Sequence, residues 1–259
     1  MTNGMPAPES NVIARLDDVS LSFGDRIVLK NCNLDIVEGA ITCIVGLSGA
    51  GKSTILRLLD GLIRPNSGHV YLRGKDICHM TEEQLIPARR KISLAFQFAA
   101  LLDSLTVGEN VALPLQERGG MNDAQIRQTV MDSLDSVGLE HTFDNLPSEL
   151  SGGMLKRAGF ARAIVTTPDL VLYDEPTTGL DPVVTGLITN TIKKLRGKLN
   201  GTAVVISHDM DSIYAMADYV AMLFEGAVIA CDTVEGIKNS INPIVQQFIT
   251  GSQVGPIPI

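Results

Sequence analysis

The chain has 259 residues, enough for one large domain with its own hydrophobic core, and its formal net charge is −8. This negative balance argues against a general nucleic-acid binder, which normally carries a basic patch. Hydrophobic residues make up 45% of the sequence, yet no run approaches the roughly 18 apolar residues that a membrane span needs. Residues 1–11 have neither a basic segment nor an apolar core, so we expect no secretory signal and a protein that stays inside the cell.

The first part of the chain predicts an antiparallel sheet of its own. Apolar and polar residues alternate over 19–23 and over 28–37, on either side of Gly24 and Asp25, a pattern typical of two strands joined by a turn. The aromatic Phe23 ends the first of these strands. On an alternating strand an aromatic side chain is more often part of the core than a ligand contact, and both interpretations stay open at this point.

A glycine-rich stretch at 46–54 reads GLSGAGKST and fits the phosphate-binding pattern G-x-x-x-x-G-K-[S/T]. It lies between an apolar run at 41–45, predicted to be a strand, and a second apolar run at 55–59, predicted to begin a helix. Backbone N–H groups of such a loop surround phosphate oxygens, and the dipole of the following helix favours an anion. We predict that Lys52 contacts the β- and γ-phosphates and that the Ser53 hydroxyl binds Mg²⁺. The predicted nucleotide contacts are Gly46, Leu47, Ser48, Gly49, Ala50, Gly51, Lys52, Ser53 and Thr54.

Helical patterns dominate the middle of the chain. Thr81 followed by Gln84 predicts a capped helix start, and Ile126, Val130 and Leu134 recur at helical spacing. We therefore expect a helical insertion over approximately 81–150. The residues that follow, 151–153, read Ser-Gly-Gly and open a further helical stretch, where a plain helix cap and an anion site are both compatible with the sequence.

An apolar strand at 170–174 delivers two adjacent carboxylates, Asp174 and Glu175. Open parallel sheets bind ligands at the carboxyl ends of their strands, so this position favours a site. Neighbouring residues of a strand point to opposite faces, and the strand must therefore end here, as Pro176 also indicates. We predict that Asp174 holds Mg²⁺ through water and that Glu175 polarises the attacking water as a general base.

The remaining pattern alternates strictly between helix and strand. A helical stripe over 184–199 is followed by a strand at 203–207, a helix at 210–217 and a hairpin at 219–231 that turns at Glu225 and Gly226. Strands that alternate with helices predict a parallel sheet. His208 directly follows the strand at 203–207, where we expect it to contact a γ-phosphate.

In this order along the chain, the motifs resemble the ATP-binding cassette family, the ATP-hydrolysing subunits of ABC transporters, over nearly the whole sequence. The resemblance rests on Phe23, 46–54, Gln97, 150–154, 170–175, 178–181 and His208. It implies an α/β fold, in which an ABC ATPase domain combines a P-loop core sheet, an antiparallel β subdomain and an inserted α-helical subdomain. This single domain would cover 1–259, with a C-terminal tail at 241–259.

The resemblance also implies roles for single residues. Phe23 would stack on adenine, and Gln97 would reach both Mg²⁺ and the attacking water while it moves with the helical insertion. The implied catalytic residues are Glu175, His208 and Gln97. The implied Mg²⁺ site contains Ser53, Gln97 and Asp174. The resemblance adds Ser151, Gly152, Gly153 and Asp181 to the nucleotide contacts.

The implied partner of one chain is a second copy. In the family, two chains meet head to tail, and each ATP lies between the phosphate loop of one chain and residues 151–153 of the other. Because one chain has one copy of each element, we expect a homodimer or a pair with a close homologue. ATP and Mg²⁺ are the implied cofactors, and no nucleic acid is expected.

Stretches at 96–115, 150–154 and 248–252 look like the ATPases of Mla-type phospholipid transporters, which serve permeases linked to MCE-domain proteins. Met154 stands where the ABC family usually has Gln, and this replacement is typical of the subgroup. The resemblance implies a membrane permease, an MCE-domain protein and a small regulatory subunit as partners. It places the chain in the cytoplasm, peripheral to the inner membrane through the permease. The alternative function is the ATPase of a small-solute importer, such as an amino-acid system.

The segment after Gln97 is unusually apolar for a surface loop. Exposed apolar patches of this kind mark interfaces, so the segment could form the groove for a cytoplasmic helix of a permease. The same side chains could instead fill the core of the helical insertion. The residues concerned are Phe98, Leu101, Leu102 and Leu105.

Overall fold

A computed structural model describes residues 11–97, 99–199 and 201–258. Phe98 lies outside the described residues, and so do residues 1–10, for which the sequence predicted no secretory signal. In these ranges the strands are β1 (Val12–Phe23), β2 (Arg26–Val37), β3 (Ile41–Val45), β4 (Ser67–Leu72), β5 (Lys75–Asp76), β6 (Ile92–Ala95), β7 (Leu170–Asp174), β8 (Thr202–Ile206), β9 (Tyr219–Phe224) and β10 (Ala227–Thr233). The helices are α1 (Lys52–Leu59), α2 (Glu82–Arg89), α3 (Val107–Arg118), α4 (Asp123–Ser136), α5 (Gly152–Ile164), α6 (Pro182–Leu199), α7 (Met210–Met216), α8 (Val234–Lys238) and α9 (Pro243–Thr250).

The strands form two sheets. An antiparallel sheet has the order β2-β1-β4-β5, and its first hairpin turns between Phe23 and Arg26, as predicted. A core sheet has the order β10-β9-β3-β8-β7-β6, in which β9, β3, β8, β7 and β6 are joined by parallel pairs. The hairpin of β9 and β10 turns at Glu225 and Gly226, both with positive φ, which also confirms the prediction. The expected α/β fold with a separate antiparallel sheet is confirmed.

The core sheet is buried on both faces, which is why its strands are continuous apolar runs. Successive residues of β3 belong to different cores: Cys43 packs with the helices α3 to α6, whereas Ile44 packs with α1 and the antiparallel sheet. Both side chains have no solvent-exposed surface. The core sheet thus lies between a helical layer on one face and α1 with the antiparallel sheet on the other.

The helices of the middle region begin at well-formed caps. Thr81, Thr106 and Asn122 each form a capping box with the residue three positions later, so the predicted helix start at Thr81 is confirmed. Within the range 81–150, β6 joins the edge of the core sheet beside β7. Gln97 directly follows this strand, and α3 and α4 lie beyond it. The bounds of the insertion stay a prediction.

The C-terminal residues pack onto the helical face of the core sheet. Val245 of α9 is fully buried, and Ile257 is 7% exposed in the same core. The Gln247 amide holds the returning chain, because its Oε1 accepts from Ile257 N at 2.7 Å and its Nε2 donates to Ile257 O at 3.3 Å. The tail expected from sequence is thus part of the domain core. No helix in the described ranges is both long and apolar enough to cross a membrane.

Candidate nucleotide site

The phosphate loop joins β3 to α1 at the carboxyl edge of the core sheet. Gly46 has φ 147°, and a Cβ at this position would lie 2.2 Å from Leu223 O of the neighbouring strand β9. A Cβ at Gly51, with φ 106°, would lie 3.1 Å from side-chain atoms of Val28 and Leu29 on β2. Only glycine fits these positions, because both the backbone conformation and the close approach exclude a side chain.

The loop geometry predicts a large loss of stability for Gly46→Ala. We expect it to lower the free energy of unfolding by about 2–3 kcal/mol, because the new methyl group meets backbone rather than a mobile side chain. The control is Gly186→Ala in α6, where nothing lies within 4 Å of the added atom. There alanine should stabilise the helix by up to about 1 kcal/mol. Thermal melting of both variants checks this, and equal shifts would contradict the loop geometry.

Helix α1 presents a free N-terminus to the loop. Its N-cap is Gly51, which provides no side-chain hydrogen bond, so the first backbone N–H groups are available to an anion. Lys52 is 6% exposed, and its Nζ donates to Gly46 O and Leu47 O, each at 2.9 Å. Burial lowers the pKa of Lys52, an effect that the charges of Glu175 and Asp174 oppose. The ammonium group is therefore held within the loop. Its hydrogen-bond acceptors there are neutral carbonyl oxygens, so its charge remains available to a phosphate.

Ser53 and Asp174 come together from distant parts of the chain. The Ser53 hydroxyl donates to Asp174 Oδ1 at 3.1 Å. Burial raises the pKa of Asp174, and the hydrogen bond from Ser53 partly offsets this effect. Both groups offer the hard oxygen ligands that Mg²⁺ prefers. No cluster of three His, Cys, Asp or Glu side chains that could hold a metal occurs in the described ranges.

Glu175 lies at the centre of a hydrogen-bonded group. Strand β7 ends at Asp174, and Glu175 has φ 48°, so the two carboxylates are freed from the regular alternation of a strand, as predicted. Glu175 Oε2 accepts from Gln97 Nε2 at 3.3 Å and from the Thr178 hydroxyl at 3.0 Å. On the other oxygen, Oε1, His208 Nε2 lies at 3.0 Å. The structure thus brings together the three residues that the resemblance assigned to catalysis.

Two neighbours of Glu175 were not predicted as site residues from the sequence. Thr178 donates directly to the carboxylate, as described above. Lys156 on α5 donates through Nζ to Thr178 O at 2.7 Å, and burial lowers its pKa while the charge of Glu175 opposes that shift. A polar residue three positions after the carboxylate could have indicated Thr178, whereas nothing local indicates Lys156.

The other predicted nucleotide contacts lie on separate elements. Phe23 is 53% exposed at the tip of the first hairpin, so it is not a core aromatic. Ser151 caps α5, since its hydroxyl oxygen accepts from Met154 N at 3.4 Å, and it remains exposed. Asp181 caps α6, because its Oδ1 accepts from Val183 N and Val184 N at 3.0 Å each. The nucleotide contacts of these residues stay predictions.

Close packing explains the glycine at 153. A Cβ there would lie 2.6 Å from Val184 Cγ1 on α6, whereas one at Gly152 would meet only Leu180 Cδ2 at 3.9 Å. The N-terminus of α5 is thus placed directly against the segment that follows Glu175.

Comparison with known proteins agrees with the geometry. The sequence profile of the ABC transporter family matches residues 29–178. The intermembrane phospholipid transport system ATP-binding protein MlaF of Haemophilus influenzae is 39% identical over 245 residues, which cover 95% of this chain and 93% of that protein. The methionine import ATP-binding protein MetN of Carboxydothermus hydrogenoformans is 43% identical over 222 residues, covering 85% of this chain and 66% of that protein.

Among solved structures, the dimeric post-hydrolysis state of the ATP-binding cassette MJ0796, bound to ADP and Pi, has a TM-score of 0.78 to this chain at 34% identity. The match covers 85% of this chain and 98% of that one. Fold, profile and relatives therefore confirm the resemblance that the motifs indicated. The chain belongs to the ABC transporter family.

Proposed function

We propose that the chain is the ATP-hydrolysing subunit of a transporter that moves phospholipid through a separate membrane permease. The observation that carries ATP hydrolysis is the carboxylate of Glu175, held by Gln97, Thr178 and His208 beside the phosphate loop. The phospholipid assignment is supported by the relative MlaF, which matches over nearly the full length of both chains.

Each part of the site has a role in this reaction. Lys52 and the backbone of residues 46–54 bind the phosphates, and the N-terminus of α1 stabilises their charge. Ser53, Asp174 and Gln97 would hold Mg²⁺, which neutralises phosphate charge when it is bound. Glu175 accepts a proton from the attacking water as general base, while His208 and Gln97 orient the carboxylate and contact the γ-phosphate side.

A complete site needs two chains. Residues 151–153 lie at an exposed helix N-terminus, a position suited to a phosphate of a second chain. Each chain has one phosphate loop and one segment 151–153, so a head-to-tail homodimer forms two equivalent sites. Phe23 then stacks on adenine, and Asp181 lies next to the dimer contact. ATP binding closes the dimer and hydrolysis reopens it, which transmits work to the permease.

The permease places this chain on the cytoplasmic face of the inner membrane, as a peripheral subunit. An MCE-domain protein and a small regulatory subunit complete the complex, and no nucleic acid takes part. The alternative, an amino-acid importer, is supported by the match to MetN, but this chain spans only 66% of that protein. Genomic context distinguishes them: a neighbouring permease with an MCE-domain gene supports phospholipid, and a periplasmic solute-binding protein supports the importer.

The biochemical test measures ATP hydrolysis of the detergent-purified complex while phospholipid or methionine is added. Phospholipid should stimulate turnover and methionine should have no effect. Stimulation by methionine alone would favour the importer.

The apolar segment after Gln97 has a partly buried and an exposed part. Leu101 packs against the helical core, whereas Leu102 is 51% exposed. The fully buried Asn110 fixes this loop, since its Oδ1 accepts from Leu102 N at 2.7 Å and its Nδ2 donates to Leu102 O at 3.0 Å. Arg162 adds bonds to Ala99 O and Ala100 O. The two interpretations left open by the sequence thus apply to different leucines: Leu101 packs against the core, and Leu102, held outward, is the candidate for permease contact.

Leu102→Asp should therefore abolish co-purification of the permease while the isolated protein keeps its melting temperature and ATP binding. A charge at an exposed position costs little, usually within about 0.5 kcal/mol. The matched variant Leu101→Asp places the same charge on a partly buried side chain that packs against the helical core, so it should lower the melting temperature clearly more than Leu102→Asp does. Thermal melting and a pull-down separate the two, and retained permease binding by Leu102→Asp would exclude this surface as the contact.

A further inference from the structure

An apolar cavity of about 270 Å³ lies at the edge of the core sheet opposite the nucleotide residues. Strands β6 and β7 begin at its wall with Ile92 and Leu170, whereas the carboxylate Asp174 lies at the far end of β7. The β4–β5 hairpin and helix α2 close the other sides. The cavity is therefore a separate place in the fold, which the ATP reaction does not use.

Its walls are built from residues that already belong to the core. Ile13, Leu72 and Ile77 line it, and each is at most 9% exposed. Helix α2 contributes Gln84, Pro87 and Ala88, which share one face of the helix because they are three and four positions apart. Such a wall favours hydrocarbon, since water would find few hydrogen-bond partners there.

The rim is positively charged, although the chain as a whole has a net charge of −8. Arg73, Lys75 and Lys91 line the cavity together with one carboxylate, Asp169. Arg73 Nη2 lies 2.9 Å from Glu38 Oε1 and 3.1 Å from Asp169 Oδ2, and Lys91 Nζ lies 3.7 Å from Asp169 Oδ1. Two carboxylates thus partner Arg73 and Lys91. Lys75 has no ion-pair partner in the described part of the chain. Lys75 is thus the unneutralised positive charge of the rim, beside hydrocarbon walls.

We propose that this cavity binds an amphiphile with a single acyl chain and an anionic head. The chain fills the apolar space, and Lys75 and Lys91 bind the head. At about 270 Å³ the cavity is slightly smaller than the roughly 300–1,000 Å³ typical of ligand pockets, a size that suits one acyl chain and is too small for two. Each buried methylene contributes about 0.8 kcal/mol, which makes affinity dependent on chain length. The proposal does not depend on ATP chemistry or on the identity of the transported substrate.

Calorimetry on the full chain, with probes kept below their micellar concentrations, tests the binding. Laurate should bind saturably with one site per chain, and octanoate, four methylenes shorter, should bind at least about tenfold more weakly. Dodecyltrimethylammonium, with the same chain but a cationic head, should not compete. Lauroyl lysophosphatidate is a second anionic probe: tighter binding than laurate indicates a lysophospholipid source, and weaker binding indicates a free fatty acid.

Two variants test the location. Lys75→Glu should weaken laurate binding about tenfold, and because Lys75 has no ion-pair partner among residues 11–97, 99–199 and 201–258, the fold should not change. Lys194→Glu, the same change of charge at an exposed position of α6, is the control and should leave binding unaltered. Ala88→Leu should fill the cavity and abolish binding. If laurate does not bind the unaltered chain, if Lys75→Glu and Ala88→Leu both leave its affinity unchanged, or if the cationic probe binds equally, the proposal is overturned.

Discussion

Glu175→Gln should bind ATP and hold two chains together, yet hydrolyse ATP about 10²–10⁴-fold more slowly than the unaltered protein. The amide keeps the shape of the side chain but cannot accept the proton of the attacking water. It also removes negative charge next to the γ-phosphate, so the closed dimer should persist. Steady-state ATP hydrolysis and gel filtration with ATP measure the two effects.

The control for this variant is Glu83→Gln, an exposed carboxylate in the first turn of α2. Its turnover should match that of the unaltered protein, because the charge change occurs far from the phosphate loop. Near-normal turnover of Glu175→Gln would remove Glu175 from the role of general base. Loss of ATP binding in that variant would also contradict the account, since the carboxylate is not expected to hold the nucleotide.

Lys52→Ala should weaken ATP binding by about 10–100-fold and abolish turnover. A charge-assisted contact to a buried phosphate contributes about 1.5–3 kcal/mol, and the carbonyl partners that Lys52 has in the structure cannot replace it for the nucleotide. Calorimetry with ATP and with ADP checks this result. Tight binding of ATP by the variant would contradict the assignment of Lys52.

Removal of the Lys52 charge, which should weaken ATP binding, should not lower the stability of the nucleotide-free protein. Burial lowers the pKa of Lys52 from its ordinary value of 10.5, so the unfolded chain binds this proton more tightly than the folded one. The charged side chain therefore opposes folding at neutral pH, and this cost disappears only as the pH rises through the alkaline range toward 10.5. Lys52→Met, which keeps the apolar stem, should melt no lower than the unaltered protein at pH 7. A clearly lower melting temperature would contradict this electrostatic account.

Local pattern was sufficient to predict the elements that carry the site. The run at 41–45, the glycines of the loop and the strand before Asp174 depend on neighbours in sequence, and the structure places β3, α1 and β7 there. The two hairpin turns were predictable for the same reason, because Gly24 and Gly226 allow positive φ.

Contacts between distant segments were not predictable in this way. The position of β3 between β9 and β8 depends on crossover connections, which periodicity does not encode. Lys156 reaches the neighbourhood of Glu175 from α5, and Leu101 and Leu102 differ in burial although they are adjacent and identical. Asp181 caps a helix, which the motif order alone did not indicate. Such features arise from packing between elements, so they appear only in the folded chain.

The most direct test of the proposed function is ATP-driven movement of labelled phospholipid in proteoliposomes that contain this chain with its permease. The account predicts movement that requires ATP and Mg²⁺ and that stops when Glu175→Gln replaces the unaltered chain. ATP hydrolysis that proceeds normally without any movement of phospholipid, together with uptake of an amino acid by the same vesicles, would contradict it.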